Sequence, residues 1–318
     1  MSKTKKGFSL IELVVVIGIL GILMATLLAV VGGSDESARA AKCMANMRSL
    51  SAAVQSRAME SEYYCLAGSR QVSVLNTKDS DIHIYYAEIV GWISWLSNKE
   101  QFKKRPSSPP SVDTCPFYGT ENEEDAMYAI TNGAIWRAVG ENRDVYVCPE
   151  HLRYRQEKGK KTPKWSYVMN ARFGYDTTQG SGAVGTSVKP GVIGYGNLAR
   201  ADRVLLFAEL PTVKFKDGKP IDNPDGDEWQ CDCVLNYKAN VDGDSYGKDW
   251  DGEAEAIGFN HKNGKRGRCG HVTFADGHAE KLVYASNGLT PEELTALLCA
   301  GKDVAFDGRQ WKKVDNQD

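Results

Sequence analysis

The chain has 318 residues and a formal net charge of −2 at pH 7; 42% of its residues are hydrophobic and 25% are charged. A chain of this length and composition can bury a hydrophobic core, which excludes a fully disordered protein. The near-neutral charge excludes a strongly basic surface of the kind that binds nucleic acid, so no nucleic-acid partner is expected.

An apolar segment lies at the start of the chain. It covers residues 8–31 and contains one charged residue, Glu12. At about 1.5 Å per residue, a helix of this length reaches roughly 36 Å and can cross a hydrocarbon core of about 30 Å. Three lysines precede the segment and two acidic residues follow it closely. This bias predicts a cytoplasmic N-terminus and an extracytoplasmic remainder.

Two simpler interpretations of the apolar segment compete with a functional membrane helix. A secretory signal peptide generally has a shorter apolar region and an A-x-A cleavage site, which residues 31–34 do not provide. An ordinary single-pass anchor does not explain Glu12, because an acid inside a bilayer is costly and is generally kept for a function.

Helical periodicity continues beyond the apolar segment. No proline interrupts residues 8–60, so we predict one helix of roughly fifty residues, whose second half (32–62) packs against a globular head formed by residues 63–318. Apolar side chains recur at three- and four-residue steps, the spacing of one helical face. These residues are Met44, Met47, Leu50, Val54 and Ala58.

The cysteines predict covalent cross-links or metal binding. An extracytoplasmic location favours disulfides, and the spacing leaves their connectivity open. Close pairs of thiols and imidazoles also offer zinc ligands, although their spacings do not match a regular zinc ribbon. These pairs are Cys148 and His151, Cys231 and Cys233, and Cys269 and His271. The full set of cysteines is 43, 65, 115, 148, 231, 233, 269 and 299.

A loop rich in aspartate lies in the middle of the head. Carboxylate oxygens are ligands that calcium prefers, but the segment lacks the order and the final glutamate of an EF-hand. A calcium site and a solvated acidic loop therefore both remain open. The calcium candidates are Asp242, Asp244, Asp249 and Asp251.

The last sixty residues predict a β-hairpin followed by a short helix. Asp276 and Gly277 form a strong two-residue turn signal between strand-like residues 272–275 and 279–284. A helix is expected near residues 290–298. Together with the long N-terminal helix, these elements predict an α+β fold in which the helix packs on an antiparallel sheet.

Residues 5–12, with the sequence Lys-Lys-Gly-Phe-Ser-Leu-Ile-Glu, resemble the class III leader of type IV prepilins and type II secretion pseudopilins. The resemblance implies a pilin-like fold, a leader of residues 1–7 and a transmembrane helix of residues 8–31. It also implies that prepilin peptidase cleaves between Gly7 and Phe8 and methylates the new amino group of Phe8. Glu12 can then neutralise the N-terminal amine of an adjacent subunit and so favour assembly.

A second resemblance involves the C-terminal part of the head. His261, Asp276 and Gly277 are similar to a motif of a pilin-like subfamily in which nine residues separate the histidine from Asp-Gly. Fourteen residues separate them here, which places a five-residue insertion at roughly 265–269.

These resemblances imply a structural subunit of a type II secretion pseudopilus or related type IV pilus-like filament. Its partners would be prepilin peptidase, other pilin subunits, an inner-membrane assembly platform and membrane lipid. Its location would be the bacterial inner membrane, with a periplasmic or extracellular head. Some pseudopilins also carry a calcium loop.

Catalytic motifs are not recognisable, so we do not expect an enzyme. Seven tryptophans and fourteen tyrosines keep one alternative open, a membrane-anchored binding domain, for example for carbohydrate, that does not polymerise.

Overall fold

The computed structural model describes residues 10–67, 70–72, 88–94, 123–160, 162–173, 193–216, 219–222, 233–235, 255–264 and 267–314. The helices among them are α1 (Leu10–Ser61), α2 (Glu123–Thr131), α3 (Pro149–Glu157) and α4 (Pro291–Cys299). The strands among them are β1 (Arg70–Val72), β2 (Glu88–Val90), β3 (Tyr167–Asn170), β4 (Leu205–Glu209), β5 (Val213–Lys216), β6 (Lys219–Asp222), β7 (Val234–Leu235), β8 (His261–Lys262), β9 (Arg268–Phe274), β10 (Ala279–Val283), β11 (Asn287–Gly288), β12 (Val304–Phe306) and β13 (Gln310–Lys313).

A six-stranded sheet forms the centre of the head. Its main path has the order β10-β9-β4-β3-β7, and β8 pairs with the first residues of β9. The predicted antiparallel arrangement holds for all of these pairs except β3 with β7, which is parallel. The fold is therefore α+β. Strands β3 and β4 are buried along their whole length, which places the hydrophobic core at the middle of the sheet.

The part of α1 that follows the apolar segment packs on this sheet. It contacts β9, β4 and α3. Met47, Leu50, Val54 and Ala58 are fully buried, whereas Met44 is only partly buried. The helical period alone identified this face correctly, because side chains three and four residues apart share one side of a helix.

The C-terminal hairpin and helix were both predicted. Strands β9 and β10 pair in antiparallel register, as expected. Their loop has three residues, 275–277, instead of the predicted two, because Thr273 pairs with Ala279 and the backbone N–H of Phe274 donates to the carbonyl of His278. Helix α4 begins after Thr290, whose side chain accepts a hydrogen bond from the backbone of Glu293 in a capping box. Beyond α4, the chain adds a small sheet with the order β11-β13-β12.

Within the described part of the chain, no helix combines the length and apolar character that a membrane span requires. Gly7, Phe8 and the side chain of Glu12 lie outside the described residues, as do the side chains of residues 25–34.

Candidate functional site

Strand β9 brings two distant parts of the chain together inside the head. Strand β4 pairs with Val272 and ends at Glu209, while β8 begins at His261 and pairs with Cys269. The side chains of Glu209 and His261 therefore meet beside β9, with the imidazole Nε2 3.3 Å from carboxylate Oε2. Both side chains are completely buried.

Glu209 is a carboxylate surrounded by nitrogen donors. Its Oε1 accepts a hydrogen bond from the backbone N–H of His271 at 2.9 Å and lies 2.7 Å from the imidazole Nδ1 of the same residue. Its Oε2 accepts a hydrogen bond from Nδ2 of Asn260 at 2.9 Å. Burial alone would raise the pKa of Glu209, but the charge of His261 and the side-chain hydrogen bonds from His261 and His271 outweigh burial and hold the pKa far below its usual range.

The environment of His261 has the complementary effect. Burial alone would lower the pKa of its imidazole, but the Glu209 charge and the contacts with Cys148 and Glu209 raise that pKa to about 11. Without a bound ion, Glu209 and His261 therefore form a buried pair of opposite charges.

Two thiols complete the group. Cys43, on α1, lies with its Sγ 3.2 Å from Oε1 of Glu209 and accepts a hydrogen bond from the hydroxyl of Tyr167 at 3.4 Å. Cys148 immediately precedes α3, and its Sγ lies 3.5 Å from Nε2 of His261. Each of the four side chains offers one ligand atom, and these atoms all lie within 4.8 Å of one another. We call Cys43, Cys148, Glu209 and His261 the core cluster.

The two thiols of the core cluster differ in acidity. Burial, together with the neighbouring Cys148 and Glu209, raises the pKa of Cys43 well above its usual value. Burial would also raise the pKa of Cys148, but the contacts with Cys43 and His261 outweigh it, and the net shift is downward. Cys148 also lies at the N-terminus of α3, a position that favours a thiolate.

The predicted disulfides are not observed among the described cysteines. All six are buried and none is joined to another of the six by a disulfide, while Cys115 and Cys231 lie outside the described residues. The predicted pairing of Cys148 with His151 is also absent, because His151 contacts the hydroxyl of Ser166 through Nδ1, at 3.0 Å, while Cys148 contacts His261.

Sequence reasoning missed Cys43 and Glu209 as partners of these residues. Cys43 was treated only as one of eight cysteines. Glu209 directly follows a run of apolar residues, 204–208, and is the last residue of the buried strand β4. A single acid at the end of such an apolar run is the sequence signal that could have predicted a buried carboxylate with polar partners.

The residues of the C-terminal motif have two separate locations. His261 belongs to the core cluster, whereas Asp276 is exposed at the turn between β9 and β10. Gly277 has a φ of +96°, which favours glycine, and Asp276 Oδ1 accepts a hydrogen bond from the backbone of His278 at 3.1 Å. Gln55 of α1 donates a hydrogen bond to the backbone carbonyl of Ala275 at 3.0 Å, so the turn is attached to the helix.

Other predicted site residues lie outside the part of the chain that the structure describes. Asp242, Asp244, Asp249 and Asp251, the calcium candidates, lie outside the described residues, as do Gly7 and Phe8. The described tryptophans do not form an exposed binding face, because two are fully buried and two partly buried. These are Trp92 and Trp165, and Trp136 and Trp311.

Comparison with protein families identifies the N-terminal segment. Residues 2–28 match the model for the prokaryotic N-terminal methylation motif. The match supports a type IV pilin-like prepilin, a class that is anchored in a membrane, processed by prepilin peptidase and assembled with other pilin subunits. No curated protein and no solved structure gives a significant match to the chain.

Proposed function

We propose that this protein is a structural, non-enzymatic subunit of a type II secretion pseudopilus or a related type IV pilus-like filament. The observation that carries the proposal is the match of residues 2–28 to the methylation motif. Within this range we assign Gly7 and Phe8 to processing and Glu12 to assembly.

The proposed pathway starts with insertion into the inner membrane. Residues 8–31 span the bilayer with the N-terminus in the cytoplasm, as the lysine bias indicates. Prepilin peptidase removes residues 1–7 and methylates Phe8. Glu12 then pairs with the N-terminal amine of a neighbouring subunit, where a charge pair in an apolar environment favours one register of assembly.

The head supports this role by its attachment to α1. Met47, Leu50 and Val54 of the helix are fully buried in the core, and Gln55 joins the helix to the β9–β10 turn. Earlier in the same helix, Nε of Arg39 donates a hydrogen bond to Oε2 of Glu150 on α3, at 2.7 Å. A head held at several points along one helix would move together with that helix when subunits are drawn into a filament.

The first test is the mass of the N-terminal peptide of the protein isolated from native membranes. A peptide that begins with N-methylated Phe8 is the expected result and would establish processing. A chain that still begins at Met1 or Ser2 would contradict the proposal and favour a membrane-anchored domain that does not polymerise.

The second test separates processing from assembly. Gly7→Glu should leave the leader uncut, while Glu12→Ala should be cut and inserted normally but should not polymerise. Val14→Ala, two residues from Glu12 in the same helix, is the matched control and should assemble as wild type. Filaments are measured by sedimentation and electron microscopy, and normal filaments from either Gly7→Glu or Glu12→Ala would refute the assignment.

A further inference from the structure

We propose that the core cluster of Cys43, Cys148, Glu209 and His261 binds one zinc ion, which joins helix α1 to the central sheet. This inference does not depend on filament assembly, because it rests on the interior of the head alone.

The spacing of the ligand atoms fits a tetrahedral ion. With zinc bonds of about 2.0–2.1 Å to nitrogen, 2.0–2.2 Å to oxygen and 2.3 Å to sulfur, neighbouring ligands lie about 3.3 Å apart for nitrogen and oxygen, and about 3.5 Å for nitrogen and sulfur. The observed distances are 3.3 Å between Nε2 of His261 and Oε2 of Glu209, and 3.5 Å between the same Nε2 and Sγ of Cys148. Sγ of Cys43 lies 3.2 Å from the other carboxylate oxygen of Glu209, Oε1. With one ligand atom taken from each residue, the four ligand atoms lie within 4.8 Å of one another.

The types of ligand favour zinc. Two thiolates, one imidazole and one carboxylate form a mixed set that zinc accepts, whereas calcium and magnesium prefer oxygen ligands alone. All four ligands come from protein side chains, and all four residues are fully buried. Four protein ligands without an open position are typical of a structural zinc site and not of a catalytic one.

Neighbouring side chains support the ligands in the way that metal sites generally require. The side chains of His271 and Asn260 contact the carboxylate of Glu209, and Tyr167 donates its hydroxyl hydrogen to Sγ of Cys43. These donors stabilise negative charge on the ligand set. They also hold Glu209 and Cys43 in the orientation that places their ligand atoms beside His261.

The positions of the ligands along the chain indicate what the ion would do. Cys43 lies on α1, Cys148 immediately before α3, Glu209 at the end of β4 and His261 at the start of β8. One ion would connect four elements that are far apart in sequence. Because such a site does not exist in the unfolded chain, its binding free energy would add to the stability of the head.

A disulfide between Cys43 and Cys148 is the competing use of the two thiols. It would remove both sulfur ligands, because a disulfide sulfur is no longer a thiolate. The two states can be distinguished directly by mass, since a disulfide removes two hydrogen atoms and a bound zinc ion does not survive denaturation.

The decisive experiment uses the full-length wild-type chain, purified in detergent without chelators. Elemental analysis should find about one zinc per chain, and non-reducing peptide mapping should find Cys43 and Cys148 as free thiols. Replacement of zinc by Co²⁺ should produce sulfur-to-cobalt charge-transfer absorption, which reports thiolate ligation. A Cys43–Cys148 disulfide, or two free thiols that bind neither added Zn²⁺ nor Co²⁺, would overturn the proposal.

Variants locate the ion within the chain. Cys43→Ser and Cys148→Ser should each reduce zinc content or affinity by at least about tenfold, because each removes one ligand. Cys299→Ser is the matched control, since Cys299 is also a buried free thiol but lies outside the core cluster. Equal zinc content in Cys43→Ser, Cys148→Ser and the control would place the metal elsewhere and refute the site. The cobalt spectrum of the wild-type chain keeps the test valid if a variant does not fold.

Discussion

The side-chain amide of Gln55 on α1 lies directly against Gly277 in the β9–β10 turn. A Cβ at position 277 would come within 2.6 Å of Nε2 of Gln55, the same nitrogen that donates to the carbonyl of Ala275. The Asp-Gly pair therefore does more than reverse the chain, because its glycine leaves the space through which the turn attaches to the helix.

We expect Gly277→Ala to destabilise the head. The φ of +96° would strain an alanine by about 1–2 kcal/mol, and displacement of Gln55 would remove a hydrogen bond worth about 1 kcal/mol. The free energy of unfolding of the full-length protein, measured by urea denaturation in detergent, gives the sum of both effects.

Gly308→Ala is the matched control for backbone strain. Its φ is +91°, but a Cβ there would meet no atom within 4 Å, so only the strain is expected. If Gly277→Ala costs no more than Gly308→Ala, the contact with Gln55 contributes nothing. In a Gln55→Ala background, Gly277→Ala should lower the free energy of unfolding only by the backbone strain, that is, by about as much as Gly308→Ala does.

Gly270→Ala should be more damaging than either of these changes. A Cβ at position 270 would lie 2.0 Å from the carbonyl oxygen of Gly258. Gly270 lies in β9, and the backbone N–H of Gly258 donates to the carbonyl of Glu209 at 2.8 Å, so a shift of either backbone would disturb β9 or β4. We expect a loss of at least about 3 kcal/mol in the free energy of unfolding. Gly159→Ala, where a Cβ meets nothing within 4 Å, should show only backbone strain. Similar unfolding curves for the two variants would contradict the close approach.

Thr290→Ala should remove the N-terminal cap of α4. The Thr290 hydroxyl accepts from the backbone N–H of Glu293 at 3.2 Å, and the Glu293 carboxylate accepts from the backbone N–H of Thr290 at 2.8 Å. Loss of the hydroxyl should lower the free energy of unfolding by about 1 kcal/mol. Thr290→Ser keeps an oxygen at the same position and should restore most of this stability in the same urea titration. If Thr290→Ser is as unstable as Thr290→Ala, the loss of stability does not come from the missing N-terminal cap.

Asp307 should titrate at an unusually low pH. Hydrogen bonds from Lys312 and from the backbone N–H groups of Gln310 and Arg309 lower the pKa of its carboxyl. The folded-state pKa then lies below the unfolded value of about 4. The interaction therefore stabilises the β12–β13 hairpin above that value and is lost as the pH falls through the folded-state pKa.

The carboxyl chemical shift of Asp307, followed by NMR as a function of pH, measures this effect. Lys312→Met should raise the midpoint, whereas Lys281→Met, which removes a lysine on β10, should leave it unchanged. An identical midpoint in wild type and Lys312→Met would show that the ion pair does not set the pKa.

Elements with local signals were predictable from the sequence. The hairpin was recognised because a glycine after an aspartate supplies the positive φ that short hairpin loops need, but the predicted two-residue turn was wrong. Thr273 pairs with Ala279, which leaves a loop of three residues, 275–277, between the last paired positions. The helix expected near residues 290–298 is α4, Pro291–Cys299, because its start is specified by neighbouring residues. The buried face of α1 followed from its helical period, although Met44 at one end of that face is only partly covered.

The use of the cysteines was not predictable in this way. The expected disulfides do not occur among the described cysteines, and the close pairs proposed for zinc were chosen by distance along the chain. Cys148 meets His261, which is 113 residues away, and Cys43 meets Glu209, which is 166 residues away. The pairing of β4 and β8 with β9 brings Glu209 and His261 together. The packing of α1 against these strands and against α3 adds Cys43 and Cys148.

The sequence by itself determined the N-terminal methylation motif, the helical face of α1, the β9–β10 turn and the C-terminal helix. Each depends on residues within a few positions of one another, so local backbone preferences and periodicity are sufficient. The tertiary structure alone decided that Cys43, Cys148, Glu209 and His261 share one buried site, because long-range strand pairing and packing of α1 on the sheet determine which distant side chains meet.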